Sequence, residues 1–148
     1  MIARSVLASL HLLALGIGLG AVWTRARGLR GTLDESGLRR VFGADTLWGL
    51  AALIWIATGL TRAFGGFEKG SAYYLSNTLF WIKMTLLVSI LLLEIGPMVA
   101  LIQWRIRSKR GRPLDLRAAP RFAAISHLQA LFVIAMVFVA SAMARGFG

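Results

Sequence analysis

Leu79-Phe80-Trp81-Ile82-Lys83-Met84-Thr85-Leu86-Leu87-Val88 decides the architecture of this chain. The stretch is too apolar for anything but a membrane span, yet an ammonium group sits inside it. Insertion scales put the cost of such a charge at roughly +2.5 to +3.5 kcal/mol at the centre of a span, less toward its ends. Charges of this kind are usually turned into the protein and paired, and they tend to mark a site.

Working outward, four apolar segments are each near the ~20 residues that cross ~30 Å of hydrocarbon. They are Val6 to Trp23, Asp45 to Phe64, Leu79 to Gln103 and Ala123 to Met143. Their runs are continuous and do not alternate, so they predict helices, not strands. The expected fold is all-α, a single-domain transmembrane four-helix bundle running up-down-up-down. Asp45 and Asn77 are expected N-caps of the second and third helices. Trp23, Trp48 and Trp104 are expected at one membrane interface and Trp81 at the other, with Trp55 near mid-depth.

Composition agrees. The hydrophobic share is 57%, against the 45–50% usual for soluble domains. There is no cysteine, which excludes disulfides and thiolate-ligated metals or clusters. A net charge of +11 would suggest nucleic acid in a soluble protein. Here the cations flank apolar runs, so they are expected to set topology and meet anionic lipid, with no nucleic-acid partner.

The loops predict orientation. Arg25, Arg27, Arg30, Arg39 and Arg40 follow the first span. Arg105, Arg107, Lys109, Arg110, Arg112, Arg117 and Arg121 follow the third. These are twelve cations on one side, against Arg4, Arg62, Lys69 and Arg145 on the other. The positive-inside rule puts the basic loops in the cytoplasm and both termini outside, in the periplasm of a bacterium with this protein in its inner membrane. The first span has no clear signal-peptidase site and is followed at once by Arg25 and Arg27, so it is expected to be retained. Residues 32–42 form a short amphipathic candidate at the cytoplasmic interface, or an ordinary loop. Gly16, Gly18 and Gly20 favour close helix packing, inside the bundle or in a homo-oligomer, or they make room for a flat ligand.

Depth follows from ~1.5 Å per helical residue. His11, Lys83 and Arg62 are expected to share a layer near the periplasmic face, beneath Tyr73, Tyr74, Glu68 and Lys69 of the second loop. Glu94 lies eleven residues beyond Lys83, within ~20° of the same helical face and ~16 Å further in. His127 is expected at a similar depth, paired with Glu94, with Asp45 and Gln129 beside them. Each residue also has a plain structural role open to it. His11 and His127 can hydrogen-bond a carbonyl, Lys83 can snorkel, Arg62 can anchor at the boundary, and Glu94 can pack as a neutral acid.

If the outer layer is a site, one imidazole with several cations in an apolar pocket suits an amphipathic anion that takes an axial nitrogen. Haem b fits, with His11 on the iron and Arg62 and Lys83 on the carboxylates. A quinone or a lipid phosphate would use the cations without the imidazole as ligand. Zinc or di-iron chemistry lacks a multi-ligand helix face, and no nucleophile–base pair or phosphate loop is present. Three functions fit: a haem-binding redox protein, a non-enzymatic component of a larger membrane complex or lipid-binding protein, and a small proton or solute path along Lys83, Glu94 and His127.

The run Asp45-Thr46-Leu47-Trp48-Gly49-Leu50 through Gly59-Leu60-Thr61-Arg62, then Phe67-Glu68-Lys69-Gly70-Ser71-Ala72-Tyr73-Tyr74, Asn77, Phe80-Trp81-Ile82-Lys83 and Met143-Ala144-Arg145-Gly146 resembles a bacterial family of four-span predicted membrane proteins of unknown function. That resemblance implies an inner-membrane bundle and no particular activity. His11 and Trp81-Ile82-Lys83 are also similar in placement to the first-helix His and third-helix Lys of the J-type protoporphyrinogen IX oxidases. That similarity implies a tetrapyrrole site at His11 and Lys83.

Overall fold

The four apolar segments become four helices because no other backbone arrangement satisfies its own N–H and C=O groups in lipid. A computed structural model describes residues 1–64 and 75–146. Within these, α1 spans Ile2–Arg30, α2 Glu35–Phe64, α3 Thr78–Lys109 and α4 Ala119–Ala144, and there is no strand. All four are long and apolar enough to cross a membrane. At 26 to 32 residues they run roughly 40–48 Å, so each outreaches the ~30 Å hydrocarbon layer and must tilt or protrude.

The inner faces follow one spacing. In α2 the buried residues Gly37, Val41, Ala44, Trp48, Ala51, Trp55 and Thr58 form one line, with Ala63 buried beyond it. In α3 the inward line runs Phe80, Lys83, Leu87, Ile90, Glu94, Pro97, Leu101 and Trp104, all buried or half-buried. Steps of three and four residues make a seam that packs helices at shallow angles, as in left-handed bundles. The opposite faces expose Leu13, Leu53, Leu92 and Phe138, which is what a bilayer requires. α1 packs along α2 and α4, and α3 packs along α4. Among the described residues α2 and α3 make few close backbone approaches.

The core has an apolar middle, with Val22, Trp48, Trp55, Ile90, Val133 and Met136, and a second apolar cluster at the basic end around Leu29, Val41, Leu101 and Trp104. Between α2 and α3, Trp48 and Trp104 are therefore core residues and not interface markers. Trp104 stacks edge-on with Phe122 at 6.0 Å. Trp23 and Trp81 are the exposed tryptophans. Gly18 packs against α2, since a Cβ there would sit 3.4 Å from that of Ala51. Gly16 and Gly20 do not serve the bundle, because a Cβ at either would meet nothing within 4 Å.

Residues 32–42 do not form a separate interfacial helix. They hold the turn and the first residues of α2, which begins ten residues before Asp45. Asp34 does the capping: its carboxylate accepts from Gly37 N at 2.8 Å and from the Ser36 hydroxyl at 3.1 Å. Those two donors hold the Asp34 carboxyl below the usual carboxylate range. Asn77 caps α3 as expected, accepting from Leu79 N at 2.8 Å. Asp45 lies inside α2, where every nearby amide already has a helical partner, so its carboxylate turns to arginines instead.

Arg25 is one of those arginines. It is not a loop cation but a residue of α1 with its side chain 0% exposed. Its Nε donates to Ser126 Oγ, Nη1 to Asp45 and Glu94, and Nη2 to Glu94 and Gln129, all at 2.7–3.0 Å. Arg105 also leaves the loop, donating from Nη2 to Asp45 Oδ2 at 3.0 Å and to Phe42 O at 2.8 Å. Removing these two from the twelve basic-side cations leaves ten, still more than the four opposite. Arg25→Met is expected to cost about 3–5 kcal/mol, because it leaves the Glu94 carboxylate without its partner. The double variant Arg25→Met/Glu94→Gln should recover part of that loss, since Asp45 keeps Arg105. Unfolding of the detergent-purified protein measures both.

Candidate functional site

His11 is placed by the same three-and-four stripe that buries Ala14, Gly18, Ala21, Val22 and Arg25 on α1. Its ring faces α2, stacked on Trp55 with centroids 5.8 Å apart. Nδ1 lies 2.9 Å from Thr58 Oγ1. The Thr58 hydroxyl also lies 2.7 Å from Ile54 O and 3.1 Å from Trp55 O. When its one hydrogen goes to either carbonyl, Thr58 accepts from Nδ1–H and Nε2 keeps its lone pair. No hydrogen bond reaches Nε2 among the described residues. Gly59 makes the close approach possible: a Cβ there would stand 3.0 Å from His11 Cε1.

His11, Arg62 and Lys83 line one cavity of about 560 Å³, with walls from all four helices. The volume falls within the ~300–1,000 Å³ of small-molecule sites. The walls are mostly apolar, with Leu15, Trp55, Phe80, Leu87 and Met136 among them. No Asp or Glu lines it among the described residues. Lys83 is half-buried in the second turn of α3, and has no hydrogen bond or ion pair among the described residues. The cavity is thus mostly apolar, with the imidazole of His11 and the side chains of Arg62 and Lys83 as its polar lining. Tyr73 and Tyr74, expected above this layer, lie outside the described residues.

The inner polar layer assembles differently from the expectation. Asp45, Glu94 and Gln129 do meet, but around Arg25. Gln129 Nε2 donates to Ile90 O at 3.0 Å and to Glu94 Oε1 at 3.1 Å, and Trp48 Nε1 donates to Glu94 Oε1 at 3.2 Å. The cluster is saturated, since each of the five guanidinium N–H groups of Arg25 has an acceptor. His127 is not part of it. Two residues from Gln129 is about 200° around the helix, so its ring points the other way and packs edge-on against Trp23, 4.8 Å between centroids. Glu94 and His127 therefore do not pair.

Sequence reasoning missed Arg25, Arg105, Trp48 and Ser126 as members of this layer. A signal for Arg25 existed. Fourteen residues separate it from His11, which returns it to within roughly 40° of the same face, while Arg27 and Arg30 fall elsewhere. Gln129→Leu is expected to cost about 1–3 kcal/mol, because it strips acceptors and donors from buried polar groups. His127→Leu should cost clearly less. Paired unfolding curves check this, and the reverse order would contradict the arrangement.

No curated protein and no solved structure matches the chain. The similarity to the J-type oxidases accordingly rests on the placement of His11 and Trp81-Ile82-Lys83. A family model described as "Predicted membrane protein (DUF2214)" matches residues 3–148, nearly the full length. The chain belongs to that family of predicted membrane proteins.

Proposed function

We propose that the cavity around His11 binds haem b or a closely related tetrapyrrole, and that the protein serves a redox role in a bacterial inner membrane with both termini outside. The observation that carries this reading is the state of His11. Histidines that ligate a metal usually donate the other ring N–H to a fixed acceptor, which sets the tautomer and the ring plane. Thr58 Oγ1, 2.9 Å from Nδ1, is placed to be that acceptor, with Ile54 O and Trp55 O in reach of its own hydrogen.

The remaining residues fit the same group. Arg62 and Lys83 suit carboxylates, and Trp55, Phe80 and Met136 suit the apolar faces of a macrocycle. Bound haem would supply one-electron chemistry at its iron. The chain's own part is to present Nε2, pair the carboxylates and keep water from the ring faces. His127 is no second ligand, since it stands with Trp23 outside this cavity. The ten-to-four asymmetry of cations supports the orientation.

A lipid-binding or accessory role for the same cavity would use the two cations and leave the imidazole idle. A proton path is disfavoured by the apolar layer of Trp55, Ile90, Val133 and Met136 that separates Lys83 from the Arg25 cluster.

Protein purified from haem-replete cells is expected to show a Soret band, or to acquire one on titration with haemin. His11→Ala should abolish it. Thr58→Val should weaken haemin binding roughly 10–100-fold, the usual cost of removing such a supporting acceptor. His127→Ala should leave the spectrum unchanged. A folded, colourless protein that does not titrate with haemin would refute the proposal.

A further inference from the structure

α1 carries a second stripe, on the face turned away from the core. Gly16, Gly20, Trp23, Arg27 and Arg30 follow steps of three and four residues, and all five are exposed. They therefore lie in one line along the helix. At the basic end of this line, Trp23, Arg27, Arg30 and Gly31 join His127 of α4 around a groove of about 340 Å³. Neither guanidinium has a hydrogen bond or an ion pair among the described residues. His127 Nε2 is buried beside the groove and also lacks a hydrogen-bond partner among them.

The position along the membrane normal identifies the ligand chemistry. Trp23 is an exposed tryptophan where α1 passes from apolar to basic sequence, the usual setting of an interfacial aromatic. Arg27 and Arg30 lie about 6 and 10 Å beyond it along the helix, at headgroup height. Guanidinium groups match phosphate oxygens in charge and geometry. Toward the membrane interior, the same line runs over Gly16 and Gly20. A Cβ at either would meet nothing within 4 Å, so the helix surface is open and low where an acyl chain would descend. The C-terminal dipole of α1 would repel an anion there, and it accounts for some preference for cations at these positions. It does not account for a histidine of another helix at the same groove with a buried, unsatisfied nitrogen.

We infer that the groove formed by Trp23, Arg27, Arg30 and His127 is a specific site for the phosphate of an anionic phospholipid, whose acyl chain lies over Gly16 and Gly20. The site is separate from the His11 cavity and does not depend on what that cavity binds. It is also distinct from diffuse attraction between the basic loops and an anionic leaflet, because two cations and one groove carry it.

Native mass spectrometry of the detergent-purified full chain, titrated with phosphatidylglycerol and with phosphatidylcholine, tests it. The expected result is one tightly held phosphatidylglycerol per chain and weaker phosphatidylcholine. Arg27→Gln/Arg30→Gln should lower phosphatidylglycerol affinity about thirtyfold, from two charges each contributing near one lipid-surface increment. Arg39→Gln/Arg40→Gln removes the same charge from the same end outside the groove and should change affinity less than about threefold. Gly16→Leu/Gly20→Leu should weaken the lipid while glycerol 3-phosphate binds poorly to every form. Circular dichroism confirms that the variants remain helical. Equal losses in the two arginine doubles would overturn the proposal in favour of diffuse charge. Equal binding of glycerol 3-phosphate and phosphatidylglycerol would make the source a soluble phosphate. A dimer abolished by the glycine double, with lipid affinity unchanged, would assign the face to a second copy of the chain.

Discussion

A guanidinium with no exposure to solvent, giving each of its five N–H groups to a different acceptor atom, ties this bundle together. Arg25 comes from α1, its acceptors from Asp45 of α2, Glu94 of α3, and Ser126 and Gln129 of α4. In lipid there is no general hydrophobic force between helices, so packing and interhelical polar bonds choose the partners. A charge this deep is tolerable only when fully paired. The requirement therefore constrains the rotation and depth of all four helices together. Arg105 extends the network to the outer oxygen of Asp45, so that two cations face two carboxylates, whose side chains are 18% and 20% exposed.

The two polar regions of the interior have opposite characters, and the difference follows from stoichiometry. Around Arg25 every guanidinium N–H has an acceptor, and only Arg105 Nε at the edge of the network is buried without one among the described residues. Around His11 no such matching holds. An imidazole lone pair and the Lys83 ammonium border a cavity with no carboxylate among the described residues. An apolar layer with Trp55, Ile90 and Met136 separates the two. One region holds the helices in register, and the other borders a cavity. The sparse backbone contact between α2 and α3 leaves room for that cavity. These helices meet through side chains, the Trp48–Glu94 and Asp45–Arg105 contacts at the basic end and the Phe64–Phe80 ring pair at 5.9 Å at the other, with little close backbone approach between.

Much of this was legible before any coordinates. Hydropathy marks four spans, Asn77 reads as a cap, and the eleven-residue spacing of Lys83 and Glu94 puts both on one face of α3. The misreadings share a cause. Arg25, Arg105, Trp48 and Trp104 sit near the ends of apolar runs, where composition alone assigns cations to loops and tryptophans to interfaces. The helices continue past those runs, so positions counted as interface or loop are still inside the bundle. Asp45 looked like a cap because it precedes the second run, but α2 had already begun at Glu35, with Asp34 capping it.

Segment count, helical class and the inward line of each helix are local properties. They follow from the cost of unsatisfied backbone in lipid and from the 3.6-residue period, both readable along one dimension. Which polar groups pair is not local. His127 and Gln129 are two positions apart in the chain, yet one meets Trp23 and the other Arg25, because about 200° of helical rotation separates them. Likewise, that Thr58 meets Nδ1 of His11 depends on the rotation of α2 against α1. Rotations of that kind are set by all interhelical contacts at once, and no single segment encodes them.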